Sequence, residues 1–473
     1  PQDPEPAELQ PLITLFNQGQ LGKVNILTAN LLQRYPRSAS LYNFHGIVCA
    51  GLGKLEDALS SYSRATEIQP DFIDAYTNLA NAQIQSGKLP DAINTLRRIT
   101  ELAPDSADAH FNLAVSLQAN GDFQSAIVGF RRALELNPGI PEAHNNLGLA
   151  FFETGEPEAA LQAYRKAIAC KSNYAEAYNN AGIVLRHTGA LAAARQHFNR
   201  AIELKPDLVD AYNHLGNVLV DSANLTAARQ NFTTALKLDP GFVEASWNLV
   251  GTAANRDRCL HWLDRCLAID PDHSNAALLK AGMQATGGNT TELERLRRAG
   301  MQEHPFMRSF DWVLGLPSMP EIYCNRWAFF DAIVAACDSA RPFYEFGVWR
   351  GQSFRYLMQT FPKGFGFDTF SGLPEDWHEN SRGSYSSKGQ IPDIPGGEFI
   401  VGEFAETLPQ FFSEQRPTAA LINFDADLYS STLCALQHAG DVIDSETVLV
   451  FDELLMNEHW EDDEYRALHE YCR

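Results

Sequence analysis

The sequence predicts a multidomain chain, an all-α helical repeat array followed by an α/β domain with a parallel sheet. Three observations predict it. Prolines, alanines and aromatics return on a 34-residue beat through the first part. After Pro342 short β runs alternate with helical stretches. A glycine turn in Phe343 to Ser353, FYEFGVWRGQS, joins the first of those runs to a helix. The divisions that follow are 1–285 for the array, 286–341 for a helical junction and 342–473 for the α/β domain.

Composition narrows the function. The chain has 473 residues, long enough for several domains, and a formal charge of -22. That balance argues against nucleic acid and anionic membrane as partners, because both need concentrated Lys and Arg. No apolar run approaches a membrane span. The opening PQDPEPAELQ carries no signal-peptide pattern and no initiator Met, so the natural start is expected to lie upstream. Eight scattered cysteines form no C-x-x-C, and Cys259 and Cys266 read as core positions. A reducing cytoplasm is the expected location.

In the array, prolines stand at 36, 70, 104, 138, 206, 240 and 271, with Ser172 in the one missing slot. Ala58, Ala92, Ala126, Ala160, Ala194 and Ala228 keep the beat, and so do Tyr62, Leu96, Phe130, Tyr164, Phe198 and Phe232. Gly53, Gly87, Gly121, Gly155 and Gly189 mark a turn between two helices in each unit. Small residues let the helices approach, the larger ones fill the gap to the next unit, and the proline ends the second helix. Period and layout resemble the tetratricopeptide repeat over roughly residues 5 to 285. Leu9 to Tyr35 reads as a degenerate first unit, and Val250 marks where the array frays.

One column invites a functional reading. Asn78, Asn112, Asn146, Asn180 and Asn248 recur at the beat, with Phe44 and His214 in the same column. A carboxamide both donates and accepts. Lining the concave groove of a superhelix, such a column holds the backbone of an extended polypeptide partner, and it resembles the asparagine ladder of peptide O-GlcNAc transferases. The alternative is that duplication copied residues that cap or bridge neighbouring helices. Acids at 74, 108, 142, 176, 210 and 244 complement helix N-termini.

The junction opens on TGGNTT, a breaker cluster, followed by an amphipathic helix and an aromatic stretch holding Phe310, Trp312, Trp327, Phe329 and Phe330. Core packing between array and domain is the expected use of those rings. Five β runs follow, within FYEFGV, GFGFDTF, EFIVGEF, AALINFDADLY and TVLVFDELL. Ligands of such sheets bind past the C-terminal strand ends. There the chain places Glu345 with the glycine turn, Asp368, the pair Asp425 and Asp427, and the pair Asp452 and Glu453. An acid like Asp368 suits ribose hydroxyls. Converging carboxylates need a cation or a proton, and a hard ion such as Mg²⁺ takes carboxylate oxygens. Helix capping is the plainer use for the same acids.

The motifs EFGVWRG, GFDTFSGLPE, GEFAETLP, DADLYSST and VFDE together resemble a Rossmann-like class I S-adenosylmethionine-dependent methyltransferase, nearest to the macrocin O-methyltransferase family. The resemblance covers about residues 341 to 473 and implies S-adenosylmethionine and Mg²⁺ as cofactors. It implies that Glu345, Gly347 and Gly351 hold the methionine end of the cofactor, with Ser353 beside them. Asp368 would hold the ribose, and Gly402, Glu403 and Phe404 would border the adenine. Asp425, Asp452 and Glu453 would bind the metal, with Glu453 standing where the family usually has a second aspartate. Asp427 would be the general base. The stretch DWHENSRGSYSSKGQIPDIPGGE, with Trp377 and Tyr385, reads either as a lid over the cofactor or as a plain surface loop. The family fold carries two further strands that this sequence lacks; either residues beyond Arg473 supply them, which is the favoured expectation, or another chain covers the bare sheet edge. The expected acceptor is a hydroxyl of a sugar, or of a glycosylated or peptidic molecule. A homo-oligomer is left open. The competing expectation is an inactive methyltransferase-like scaffold whose array mediates protein–protein interaction.

Overall fold

The regular repeats are built as a 13-residue helix, a glycine turn and a 14-residue helix, as in Ile73–Gln85 followed by Leu89–Leu102. The computed structural model describes residues 3–378, 380, 382–387, 389–452 and 454–473. These fall into two units, Pro1–Val184 and Leu185–Arg473.

In the first unit the turns require left-handed backbone. Gly53, Gly87, Gly121 and Gly155 have φ of 74, 70, 80 and 78°, a region that glycine enters without a Cβ penalty. Ala58, Ala92, Ala126 and Ala160 are wholly buried, so their helices meet closely. The rings of Tyr62 and Tyr164 press on Gly46 and Gly148 in the first helix of their own repeat, where any side chain would collide. Tyr62 also clusters with Leu79 and Ala82 of the next repeat. The aromatic therefore seals within a repeat as well as between repeats. Pro6–Asn17 and Leu21–Arg34 form the degenerate first pair around Leu12, Val24 and Leu31.

In the second unit the beat continues, with Ala223 taking the turn at φ 57° in place of glycine. The helix Val243–Val250 has only 8 residues, which is where the array frays. Thr291–Arg298, Pro305–Leu314 and Arg326–Ala336 make the junction. The Trp327 indole donates to the Val220 carbonyl at 2.7 Å, and the Asn325 amide donates to the Ala253 carbonyl at 2.9 Å. Trp327 and Phe330 share a core with Phe343, Phe354 and Leu421. Phe310, Trp327 and Phe330 are thus core residues, whereas Trp312 is half-buried and Phe329 is exposed.

The five strands are β1 Phe343–Phe346, β2 Gly364–Asp368, β3 Gly397–Val401, β4 Leu421–Phe424 and β5 Val448–Phe451. All pair in parallel in the order β3-β2-β1-β4-β5. The order reverses between β1 and β4. Among the described residues no helix is long and apolar enough to cross a membrane.

Candidate active site

The register of the sheet builds the site. Phe367, Phe346, Phe424 and Phe451 stand side by side on β2, β1, β4 and β5. Their rings stack in a row, with centroids 4.7, 5.4 and 4.7 Å apart. Side chains alternate along a strand, so the next residue on each turns the other way. Those next residues are Asp368, Gly347, Asp425 and Asp452. One step past the phenylalanine row, the fold therefore lines up three acids and the glycine of the turn.

Gly347 has φ 89°, and a Cβ there would collide with the Asp425 carbonyl. Only glycine lets β1 and β4 meet here. The turn above it is tied down by Asp368. One Asp368 oxygen accepts from the backbone N–H of Val348 at 2.8 Å and of Trp349 at 2.6 Å, and the other accepts from Phe370 at 2.5 Å. Those bonds hold Trp349 at φ 48°, a conformation that a bulky side chain adopts only under constraint. Burial nevertheless pushes the Asp368 carboxyl up, against the pull of these N–H groups. Three accepted bonds leave part of the carboxylate's capacity free for a ligand hydroxyl.

A cavity of about 280 Å³ opens above this row. It is lined by the predicted Gly347, Ser353 and Asp368, by Glu403 and Phe404, and by Asp425, Asp427 and Asp452. Glu345 is fully buried and receives the Ser353 hydroxyl at 2.8 Å, so it meets the cavity through that side chain. Gly351 caps the helix Gln352–Leu357 at φ 69°, and Gly402 donates its N–H to the Asp368 carbonyl at 3.1 Å. Neither lines the cavity. Trp377 and Tyr385, from the long β2–β3 connection, do line it. Glu453 lies outside the described residues.

Of the lining residues that carried no role in the sequence reading, Trp349, Arg350 and Arg326 bring distinct chemistry. Trp349 and Arg350 stack at 4.1 Å within the glycine turn, and the Trp349 indole N–H is buried without a hydrogen-bond partner. Arg326 places its guanidinium 2.9 Å from Asp425 and 3.2 Å from Asp452. Burial works against the Arg326 charge, but Asp425, Asp452 and Glu345 outweigh it and raise its pKa. Burial and then Asp452 push the Asp425 carboxyl well above the ordinary range, against the pull of Arg326. Arg326 is 99 residues from Asp425, and no spacing rule pairs residues so distant. Among the described residues no group of three or more His, Cys, Asp or Glu is arranged to hold a metal ion. At the two predicted metal ligands that are described, the bridging cation is a guanidinium.

Glu345 gives a test in pH. Burial pushes its carboxyl from the ordinary 4.5 up to about 8, although the Ser353 bond opposes the shift. Between those values the folded chain keeps a proton that the unfolded chain releases. Stability therefore falls as pH rises through that window. Glu345→Gln keeps a neutral group and should flatten the fall in melting temperature between about pH 5 and about pH 8. An unchanged slope in the variant would mean that Glu345 is ionised in the fold.

In the asparagine column three amides bridge repeats. Asn78 donates to Asn43 at 3.0 Å, Asn180 to Asn145 at 3.1 Å and Asn248 to Asn213 at 2.8 Å. The acceptors are buried, so the bonds satisfy groups that water does not reach. Asn146 instead accepts from Asn145 at 3.4 Å. Asn112 lines a separate cavity in the first unit with Phe111, Val115 and Ile84.

Comparison with known proteins concerns the repeats. Residues 50–114, 113–175 and 209–242 match models described as tetratricopeptide repeat, and 182–222 matches one described as TPR repeat. Residues 50–175 and 182–242 are tetratricopeptide repeats. Similar solved structures include a MamA protein, 26% identical, covering 36% of this chain and 92% of that one, with TM-score 0.34. Another is YrrB, described as a TPR protein with an unusual peptide-binding site, at 21% identity, 39% and 95% coverage and TM-score 0.35. A third is pilF of Pseudomonas aeruginosa, at 22% identity, 44% and 96% coverage and TM-score 0.39. No curated protein matches the chain.

Proposed function

We propose that the chain couples a polypeptide-binding repeat array to an S-adenosylmethionine-dependent methyltransferase acting on a hydroxyl. Stacked repeats supply extended binding surfaces, which supports the first half. The second half rests on one observation. Gly347 meets the Asp425 carbonyl beneath a cavity edged by Asp368, Glu403 and Asp427. The strand order, reversing between β1 and β4, is that of doubly wound sheets, whose ligands bind at this edge.

The residues fit an adenosyl cofactor. Gly347 lets the ends of β1 and β4 close up under the cavity, Asp368 keeps acceptor capacity for ribose hydroxyls, and the Trp349 N–H is a buried donor awaiting an acceptor. Glu345 and Ser353 would face the methionine end, and Glu403 and Phe404 the adenine. When bound, S-adenosylmethionine supplies an electrophilic methyl on a sulfonium. The chain's own work is to align the acceptor hydroxyl and take its proton, the latter at the Asp427 carboxylate. Trp377 and Tyr385 would exclude water from above. A hydroxyl of a sugar or of a peptidic acceptor suits this arrangement, with the polypeptide part engaged by the array.

A second reading is a scaffold whose enzyme-like domain is inactive. The family models fall within the repeats, which favours it, and so does a guanidinium lying across two of the expected metal ligands. Calorimetry of the full chain with S-adenosylhomocysteine separates the two. Saturable binding at micromolar ligand is expected of the methyltransferase. No heat at any concentration tried leaves the scaffold.

A further inference from the structure

We infer that Arg326 is the resident counter-cation of the acid row, so that Asp425 and Asp452 are held by this guanidinium and not by a divalent ion. Its contacts are the first reason. One Arg326 nitrogen is 2.9 Å from Asp425 and 3.2 Å from Asp452, bridging carboxylates on adjacent strands. Guanidinium is the cation best matched to carboxylate geometry and the least costly to desolvate. Mg²⁺ demands a near-octahedral shell of oxygens. To enter here it would have to share both carboxylates with Arg326, whose nitrogen already sits on one oxygen of each, and stand beside a second positive charge.

The mount is the second reason. Arg326 opens the helix Arg326–Ala336, and both its neighbours are fixed. Asn325 caps that helix by accepting the Ala328 N–H at 2.8 Å, and donates to the Ala253 carbonyl at 2.9 Å. Trp327 is buried and donates to the Val220 carbonyl at 2.7 Å. The guanidinium also lies over the Phe330 ring, 5.6 Å from its centroid. An arginine on a loose loop would swing aside for an ion. This one is delivered by a helix start bolted to the end of one array helix at Val220 and to a connection between helices at Ala253. Arg326 is thus a positioning residue, tying the last repeats to the row of acids. Its bearing on catalysis rests on the methyl-transfer reading, while its hold on the acids does not.

The test uses the full chain in two measurements. In the first, Mg²⁺ is titrated by calorimetry into the wild type and into Asp425→Asn. No uptake by the wild type is expected. Uptake that Asp425→Asn abolishes overturns the inference. In the second, melting temperatures are compared for Arg326→Ala, Asp425→Asn and the double variant. Arg326→Ala alone should lower the melting temperature by several degrees, and adding Asp425→Asn should recover much of that loss, because the stranded charge is removed. Simple additivity overturns the inference as well. Arg326→Gln serves should the alanine variant not fold. S-adenosylhomocysteine titrations of the same proteins report on the cofactor reading separately, so the failure of one is not mistaken for that of the other.

Discussion

Gly347→Ala should weaken S-adenosylhomocysteine binding by about a hundredfold or more, a loss of about 2.7 kcal/mol. Two costs add. Alanine in left-handed backbone costs about 1 kcal/mol or more, and Gly347 sits at φ 89°. The added Cβ then meets the Asp425 carbonyl, which is backbone and has no rotamer to yield. The strand ends of β1 and β4 must part, and the proposed cofactor floor and Asp425 move with them. Gly53→Ala is the control. Gly53 also has positive φ, at 74°, but nothing lies within 4 Å of its missing side chain. It carries the conformational cost without the collision, so it should lower stability by about 1 kcal/mol and leave ligand binding alone. Wild-type affinity in Gly347→Ala would remove this turn from the cofactor site.

The array was legible because its physics is local and repeated. A turn that needs φ near 75° calls for glycine every 34 residues, and Gly53, Gly87, Gly121 and Gly155 answer it. The sheet was legible for a related reason. Each β run ends in a residue with a task, so Gly347, Asp368, Asp425 and Asp452 stood out before their register was known. What sequence does not carry is pairing at a distance. Arg326 reaches Asp425 across 99 residues, and only the folded junction brings them together. The asparagine column shows another limit. Its period is plain, but period alone does not separate a ligand ladder from inter-repeat bridges such as Asn248 to Asn213. Asp368 shows a third. An acid at a strand end reads as a ribose ligand, yet three backbone N–H groups already bond to it. Its role as the brace of the glycine turn depends on a loop conformation that residue types do not announce.

Asp427→Asn should lower methyl transfer by about a hundredfold to ten-thousandfold, the range for loss of a general base, while S-adenosylhomocysteine binds as before. Asn is the right probe for a structural reason. Asp427 sits at φ 58°, and Asp and Asn are the side chains most often found there. The substitution therefore keeps the backbone and the shape of the cavity wall, and removes only the ability to take a proton. Asp427→Ala would confound the chemistry with a relaxed loop beside Ala426, which also lines the cavity. The measurement is incorporation of labelled methyl from S-adenosylmethionine into acceptors of a cell extract, run beside calorimetry on the same preparations. An undiminished rate would take Asp427 out of the mechanism. Loss of ligand affinity together with rate would make it a wall of the cofactor site instead. A general base is identified only if affinity survives and transfer does not, because a carboxylate that merely shaped the cavity would be replaced by its isosteric amide at little cost.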